Sequence, residues 1–434
     1  MLPVFASESH ASEPLSPSDA LKAFDLDETL AIALVAAEPT VIDPVAVAFD
    51  ERGWMYRAEM RDYPRGDDSG MPLGLVALLE DKDGDGAYES RHEFASNLYY
   101  PNGVMCWDGG VFVTCAPDVL FLKDTDGDNI ADVKRVVFTG FDLGNSSQLR
   151  VNDPTLGIDG WVYLATGLSG GLIVSPDYPE REPIDVRNHN FRFKPGTDQF
   201  ERISGQSQFG LTFDEAGNMF IVHNRHHIRH VVLDARYLSR NLWLTISDTI
   251  EEIPDHGAAA TVYPISENTT TAVSHAGTFT AACAVTVYEG HALGDDYKGN
   301  AFVCDPTGNL IHRDRLVPNG PTFIAQRAEH EREFLRSTDN WFRPVFLQSG
   351  PDGALYVCDM YRKAIEHPRY LPDATREITD FESGKAHGRI YRIRRAGEQE
   401  PIQPFAWNGD ATTLAQLFNH DDVWMRECAY RRLL

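Results

Sequence analysis

The chain has 434 residues, 42% hydrophobic and 11% aromatic, which is long for one ordinary domain and ample for a buried core. A formal net charge of -26 repels phosphate backbones and anionic lipid, which argues against nucleic acid and acidic membrane surfaces as partners. The 34 Gly and 25 Pro are scattered rather than clustered, the composition of many short elements joined by turns.

Residues 1–25 read as an N-terminal segment. The apolar stretch after Met1 is too short for a signal peptide and no base precedes it, so it fits a leader remnant or an unstructured start. Ser16 or Ser18 is placed to cap a short helix over 19–24. "LAIALVAAEP" (30–39) is too short to span a membrane. Six Cys occur, none in CxxC or CxxCH spacing, so a zinc knuckle, a thioredoxin motif and a c-type haem attachment are absent from this sequence. Cys106 and Cys115 either pair across adjacent strands or remain free.

One pattern then recurs along the chain. It is seen in "DERGWMYRAEMRDYP" from Asp50, "WDGGVFVTCAPDVL" from Trp107, "GIDGWVYLATGLSGG" from Gly157, "DEAGNMFIVHNRHH" from Asp214, "DYKGNAFVCDPTGN" from Asp296 and "GPDGALYVCDMYR" from Gly350. Each copy is a glycine turn followed by an aromatic within an apolar run: Tyr56, Phe112, Tyr163, Phe220, Phe302 and Tyr356. The interval is roughly 50–60 residues, with one gap of about 80, the length of a four-stranded propeller blade. The fold predicted is all-β, a six-bladed β-propeller over 26–396. Its last sheet is closed by 388–395 or by the N-terminal 30–39.

Two acidic turns lie within it. "DKDGDGAYE" (81–89) and "DTDGDNIAD" (124–132) share D-x-D-G-D-x-x-x-[DE], which offers calcium the oxygens of Asp81, Asp83, Asp85 and Glu89, and of Asp124, Asp126, Asp128 and Asp132. A solvated hairpin turn has the same composition. The flanking segments are strand-like, so these are not helix-flanked EF-hands.

An antiparallel hairpin returns its chain to where it started. The beginnings of the first strands and the ends of the second strands therefore meet at one mouth of the central channel. Asp43, Asn102, Arg150, Asn152, Gln208, His275 and Arg343 begin first strands. Glu59, Arg61, Asp118, Thr166, Asn224, Arg225, Asp305, Asp359 and Arg362 end second strands. Such a mouth suits a small polar ligand such as a sugar, or an anionic cofactor; a water-filled channel with paired charges has the same residues. "VHNRHHIRH" (222–230) holds His223, His226, His227 and His230, but a strand need not converge them on a metal.

From residue 397 the character changes to a linker and helical spacing, with Leu414, Leu417, Val423, Trp424, Cys428 and Leu433 apolar and Asp410 and Asp421 or Asp422 as N-caps. One helical pair cannot bury itself, so 397–434 reads as the start of a helical array.

The segments "VAAEPTVIDPVAVAFDERGWMYRAEMRDYP", "LLEDKDGDG", "SGQSQFG", "FVCDPTGNLIHR", "STDNWFRPVFLQSGPDGALYVCDMYRKAIEHP" and "GRIYRIRR" resemble the N-terminal propeller of a large family from planctomycetes and related bacteria, described as membrane-bound dehydrogenases. The resemblance covers residues 15–434. It implies a glucose/sorbosone dehydrogenase-like propeller, usually followed by HEAT-like repeats and a c-type haem domain, in an exported periplasmic or cell-envelope protein. It also implies a quinone-dependent oxidoreductase, with pyrroloquinoline quinone (PQQ) as cofactor and a sugar or polyol as substrate. The general base of such enzymes is a His before the third glycine turn. Leu149 stands at that place here and accepts no proton, which leaves His275 as the candidate base. Arg61, Arg343 and Arg362 would be the anion contacts. A non-catalytic, calcium-stabilised propeller that binds glycan or protein is the alternative.

Overall fold

A computed structural model describes residues 13–66, 70–144, 146–241, 243–246, 249–256, 260–266, 277–397, 405 and 410–434. The repeated turn builds the blades. In the first copy Asp50 caps its own turn, accepting from the backbone of Arg52 (2.9 Å) and Trp54 (3.0 Å), and Gly53 takes the left-handed conformation (φ 80°) that a side chain would oppose. The sixth copy turns at Gly353 in the same way (φ 69°). Each turn joins a first strand to an antiparallel second strand, for example Pro44–Phe49 to Met55–Glu59 and Pro344–Ser349 to Leu355–Asp359.

Six such sheets form among the described residues, and their first strands stand side by side in a closed ring. Blades 1 to 4 begin at Pro44, Gly103, Asn152 and Leu211; blades 5 and 6 begin at Cys283 and Pro344. Blade 2 is widened by the hairpin Gly171–Val174 and Ile184–Asp185, and blade 5 by Phe24–Leu26. This is the six-bladed propeller expected from the repeats. Both predicted closing segments are used: Arg389–Arg395 is the third strand of blade 6, and Leu30–Ala37 pairs with it as the fourth.

The core lies between blades. All six repeated aromatics are buried. Several meet a ring from a neighbouring blade edge-on, as in Tyr356 with Phe49 (4.9 Å) and Phe112 with Phe193 (5.2 Å). The N-terminal helix is shorter and earlier than the predicted 19–24. It spans Pro17–Ala20, with Ser16 as the cap, because 24–26 is drawn into blade 5.

The C-terminal helices Ala411–Gln416 and Val423–Leu433 carry the predicted caps, Asp410 on Thr413 N (2.9 Å) and Asp422 on Trp424 N (2.9 Å). Part of their apolar face is buried within the pair, while Phe418 and Leu433 stay exposed. Trp424 and Cys428 pack with Phe405 and Leu414, and the second helix lies against the propeller. Arg431 donates to Phe49 O (3.2 Å) and Tyr430 Oη to Ile158 O (2.7 Å). Helix and inner strands enclose a cavity of about 840 Å³ at the channel end where the first strands finish. All six cysteines, including Cys106 and Cys115, are free and buried.

Candidate functional site

The opposite end of the channel is the mouth that the hairpin argument identified. A cavity of about 490 Å³ opens there, lined from blades 1, 3, 4, 5 and 6. Its wall is formed by the neighbours of the predicted charged residues more than by those residues themselves. Met60 follows Glu59, Pro306 follows Asp305 and Met360 follows Asp359, while Val45 and Val345 lie two positions past Asp43 and Arg343. Successive side chains point to opposite faces, which exchanges Glu59, Asp305 and Asp359 for Met60, Pro306 and Met360, while register shifts at Pro44/Ala46 and Pro344/Phe346 put Val45 and Val345 on a different face from Asp43 and Arg343.

The charged set ties blades together instead. Arg362 from blade 6 forks onto Asp43 of blade 1, both side chains fully buried. Arg343 donates to the carbonyls of Pro306 (2.8 Å), Arg362 (3.0 Å) and Lys363 (2.6 Å). Asp359 accepts from the backbone of Arg343 (2.7 Å) and Tyr361 (2.8 Å); burial pushes its carboxyl up to about 7. Asp305 accepts from the backbone of Thr307 (3.0 Å) and Gly308 (3.1 Å). Glu59 is fully buried under Arg57 (2.7 Å) and Arg61 (2.8 Å). Asn102 donates to Ser147 O (3.0 Å), and Asn152 to Gln208 O (3.0 Å). Arg150 lies over the Tyr100 ring at 4.5 Å and donates to Leu143 O, and Arg225 is exposed. Of the predicted set, Asn224 lines the cavity; it accepts from Gln208 Nε2 (2.8 Å), and Gln208 lines it too. His275 lies outside the described residues.

The remaining wall includes Tyr63, Leu149, Phe209, His223 and Thr280. Over it hangs a segment that sequence reasoning missed. Between the second and third strands of blade 6 the chain runs from Met360 to Gly388, and its Ile365, Glu366, His367, Tyr370 and Leu371 line the cavity. The signal was present: 29 residues ("MYRKAIEHPRYLPDATREITDFESGKAHG") stand where blades 2, 4 and 5 have a short turn. Tyr63 Oη, which donates to Gln148 Oε1 (2.9 Å) and also reaches Ile365 O, fixes the segment to blade 1. His223 and His367 are both lowered below the usual imidazole value, first by burial, and His223 Nδ1 is shielded from solvent without a hydrogen-bond partner. The mouth therefore offers neutral imidazoles, amides, aromatic rings and aliphatic surface.

PQQ carries several carboxylates. Among the described residues no lysine or arginine lines this cavity, Glu366 is its carboxylate, and Arg343 and Arg362 are spent on carbonyls and Asp43. The lining does not fit an anionic quinone. Leu149 is on the wall.

The acidic turns are hairpin tips between third and fourth strands, as expected, in blades 1 and 2. Asp81, Asp83, Asp85 and Glu89 bring ligand oxygens together, and so do Asp124, Asp126 and Asp128. Asp132 instead accepts from Thr125 N (3.0 Å). The four histidines of 222–230 do not converge on one point, although the rings of His223 and His226 lie 5.8 Å apart. His223 faces the mouth, His226 meets Glu252 (2.7 Å), and His230 bonds Thr322 (2.9 Å). His227 turns inward between blades 4 and 5, toward residues distant in sequence.

Solved structures similar to this chain include an oxidoreductase (glucose dehydrogenase) from Thermus thermophilus, at 16% identity over 84% of this chain and 99% of that one, with a TM-score of 0.48. The PQQ-bound aldose sugar dehydrogenase of Streptomyces coelicolor is 12% identical over 85% and 100%, with a TM-score of 0.46. A luciferin-regenerating enzyme is 10% identical over 86% and 99%, with a TM-score of 0.49. No curated protein matches the chain. Residues 16–397 match the family model described as "Domain of unknown function (DUF7133)", and the chain belongs to that family.

Proposed function

We propose that the channel mouth binds a small neutral polyhydroxy molecule of the sugar or polyol class. The observation that carries this reading is the lining. Tyr63, Phe209 and Tyr370 offer ring faces to the apolar side of such a ligand, and Gln208, Asn224 and His223 offer hydrogen bonds to its hydroxyls. Among the described lining residues there is no lysine or arginine for an acidic ligand. The Met360–Gly388 segment would then control access.

An oxidoreductase acting on the same ligand class is the second reading, in line with the family resemblance. It is favoured by His223, neutral and with Nδ1 unpartnered at the wall, where it can take a proton from a bound hydroxyl. In that reading a c-type haem partner accepts the electrons, and the protein works in the periplasm or at the cell envelope. No described helix is long and apolar enough to cross a membrane. Calcium at the two acidic turns is structural in both readings, held by Asp81, Asp83, Asp85 and Glu89 and by Asp124, Asp126 and Asp128.

Calorimetric titration with monosaccharides, disaccharides and polyols, with and without PQQ and calcium, tests both readings. Saturable binding of one sugar or polyol without quinone is expected. No binding across the panel overturns the first reading. Reduction of an electron-accepting dye by a sugar or polyol of the panel that disappears in His223→Ala establishes the second.

A further inference from the structure

We infer that His227, His256, His312 and Asp314 form a binding site for a divalent transition-metal ion between blades 4 and 5. One ligand atom from each residue lies within 4.8 Å of the others. His227, His312 and Asp314 are buried, and the His256 side chain is 17% exposed. Three imidazoles and one carboxylate suit zinc and its first-row neighbours; calcium and magnesium call for oxygen ligands throughout.

Three stretches of chain converge to make this set. His227 is on the third strand of blade 4, His226–Val231. His312 and Asp314 are two apart on the third strand of blade 5, Leu310–Asn319, and so share a face. His256 lies beyond Ile250–Glu252, in the link between blades 4 and 5. That link is the longest between any two blades, which is where a cross-link between blades is most useful.

The surroundings are those of a ligand set. His312 Nδ1 is 2.6 Å from Glu333 Oε2, and the other Glu333 oxygen accepts from Arg327 (3.1 Å) and Tyr263 N (2.9 Å). His256 Nδ1 is 2.7 Å from Asp255 Oδ1. Ligating imidazoles are held in this way, one nitrogen on a carboxylate and the other toward the metal. Asp314 presents one oxygen to each of two imidazoles, Oδ2 to His227 Nε2 (2.9 Å) and Oδ1 to His312 Nε2 (3.0 Å). Phe279 stacks on His227 (4.4 Å) and meets His312 edge-on (5.3 Å), closing one side with an apolar wall. A purely hydrogen-bonded network would account for His312 and Asp314. It leaves His256 Nε2 and His227 Nδ1 shielded from water with nothing to bond.

The test is metal analysis of tag-free protein, followed by chelation and titration with Co²⁺, whose visible bands report imidazole and carboxylate ligation. Wild-type protein should carry one transition-metal ion per chain besides any calcium, give the Co²⁺ bands, and melt higher when Zn²⁺ is restored. His256→Ala, outside the sheets, should lose the bands while keeping the wild-type circular dichroism; Asp314→Asn should lose them as well. Glu333→Gln should weaken binding roughly 10–100-fold. Folded wild-type protein that neither retains metal nor gives Co²⁺ bands overturns the inference. Bands unchanged in both His256→Ala and Asp314→Asn also overturn it, because the ion is then held elsewhere, for example at the acidic turns.

Discussion

Arg362 clamps Asp43 through two hydrogen bonds of 2.6 Å each, joining blade 6 to blade 1 across 319 positions of sequence. Both side chains are fully buried, so the pair is a clasp on the ring rather than an anion-binding device. Breaking one half strands a buried charge. Arg362→Met should therefore cost about 3–5 kcal/mol, measured as a lower denaturant midpoint at unchanged slope. Adding Asp43→Asn should recover much of that loss, since the second change removes the orphaned charge. A double variant as unstable as the single one would count against the clasp.

Leu149 is on the cavity wall, next to Gln148 in sequence. Leu149→Trp should fill part of the 490 Å³ and weaken sugar or polyol binding at least 10-fold, with the melting temperature close to wild type. Isothermal titration and a thermal melt decide this together.

Asp153 is buried without a cationic partner, accepting from Leu211 N at 2.7 Å, and burial pushes its carboxyl up to about 7. A raised folded-state value means that its favourable contribution is complete below the unfolded value near 3.8 and is lost as pH rises through about 7. Asp153→Asn keeps an acceptor for Leu211 and removes the titration. It should match wild type near pH 4 and be more stable at pH 8, by about 1–3 kcal/mol. A difference between the two proteins that does not change with pH would contradict this.

In the acidic turns, Asp83 and Asp126 each accept from one backbone N–H, Asp85 N (3.2 Å) and Asp128 N (3.3 Å). Asn at both positions keeps those acceptors and removes the charge. The double variant should lose the rise in melting temperature that calcium gives wild-type protein, while its calcium-free melt stays unchanged. No calcium-dependent rise in the wild type would dismiss a structural ion there.

Trp424 anchors the C-terminal helix and is buried against Phe405 and Leu414. Trp424→Ala should cost that helical pair about 3–5 kcal/mol. Hydrogen exchange across 411–433 should then become fast, while the blade strands stay protected.

The ring of blades was legible because a local rule repeats. A glycine turn such as Gly53 or Gly353 and an aromatic three positions on can be recognised one copy at a time, and the fold follows from their number. The mouth was legible as a place but not as a surface. Whether Asp359 or Met360 faces the cavity depends on the pleat and on the register shift between Pro344 and Phe346, which the sequence does not mark. The clasp between Asp43 and Arg362, and the meeting of His227 with His312 and Asp314, are long-range pairings with no periodic trace. The overhang from Met360 to Gly388 did leave a trace, in the length of one connection.

The strand Leu30–Ala37 reaches its place beside Arg389–Arg395 only when blade 6 exists. During synthesis, a segment made before any blade must wait, unpaired, until nearly all of the propeller has been made. It would be an open strand edge throughout that time, available to any other extended chain. The alternation of apolar and small residues in "LAIALVAA" thus serves the finished ring and is a liability before it closes. Emergence of the last blade, rather than the folding of any earlier one, would then set the moment at which the protein becomes safe from mispairing.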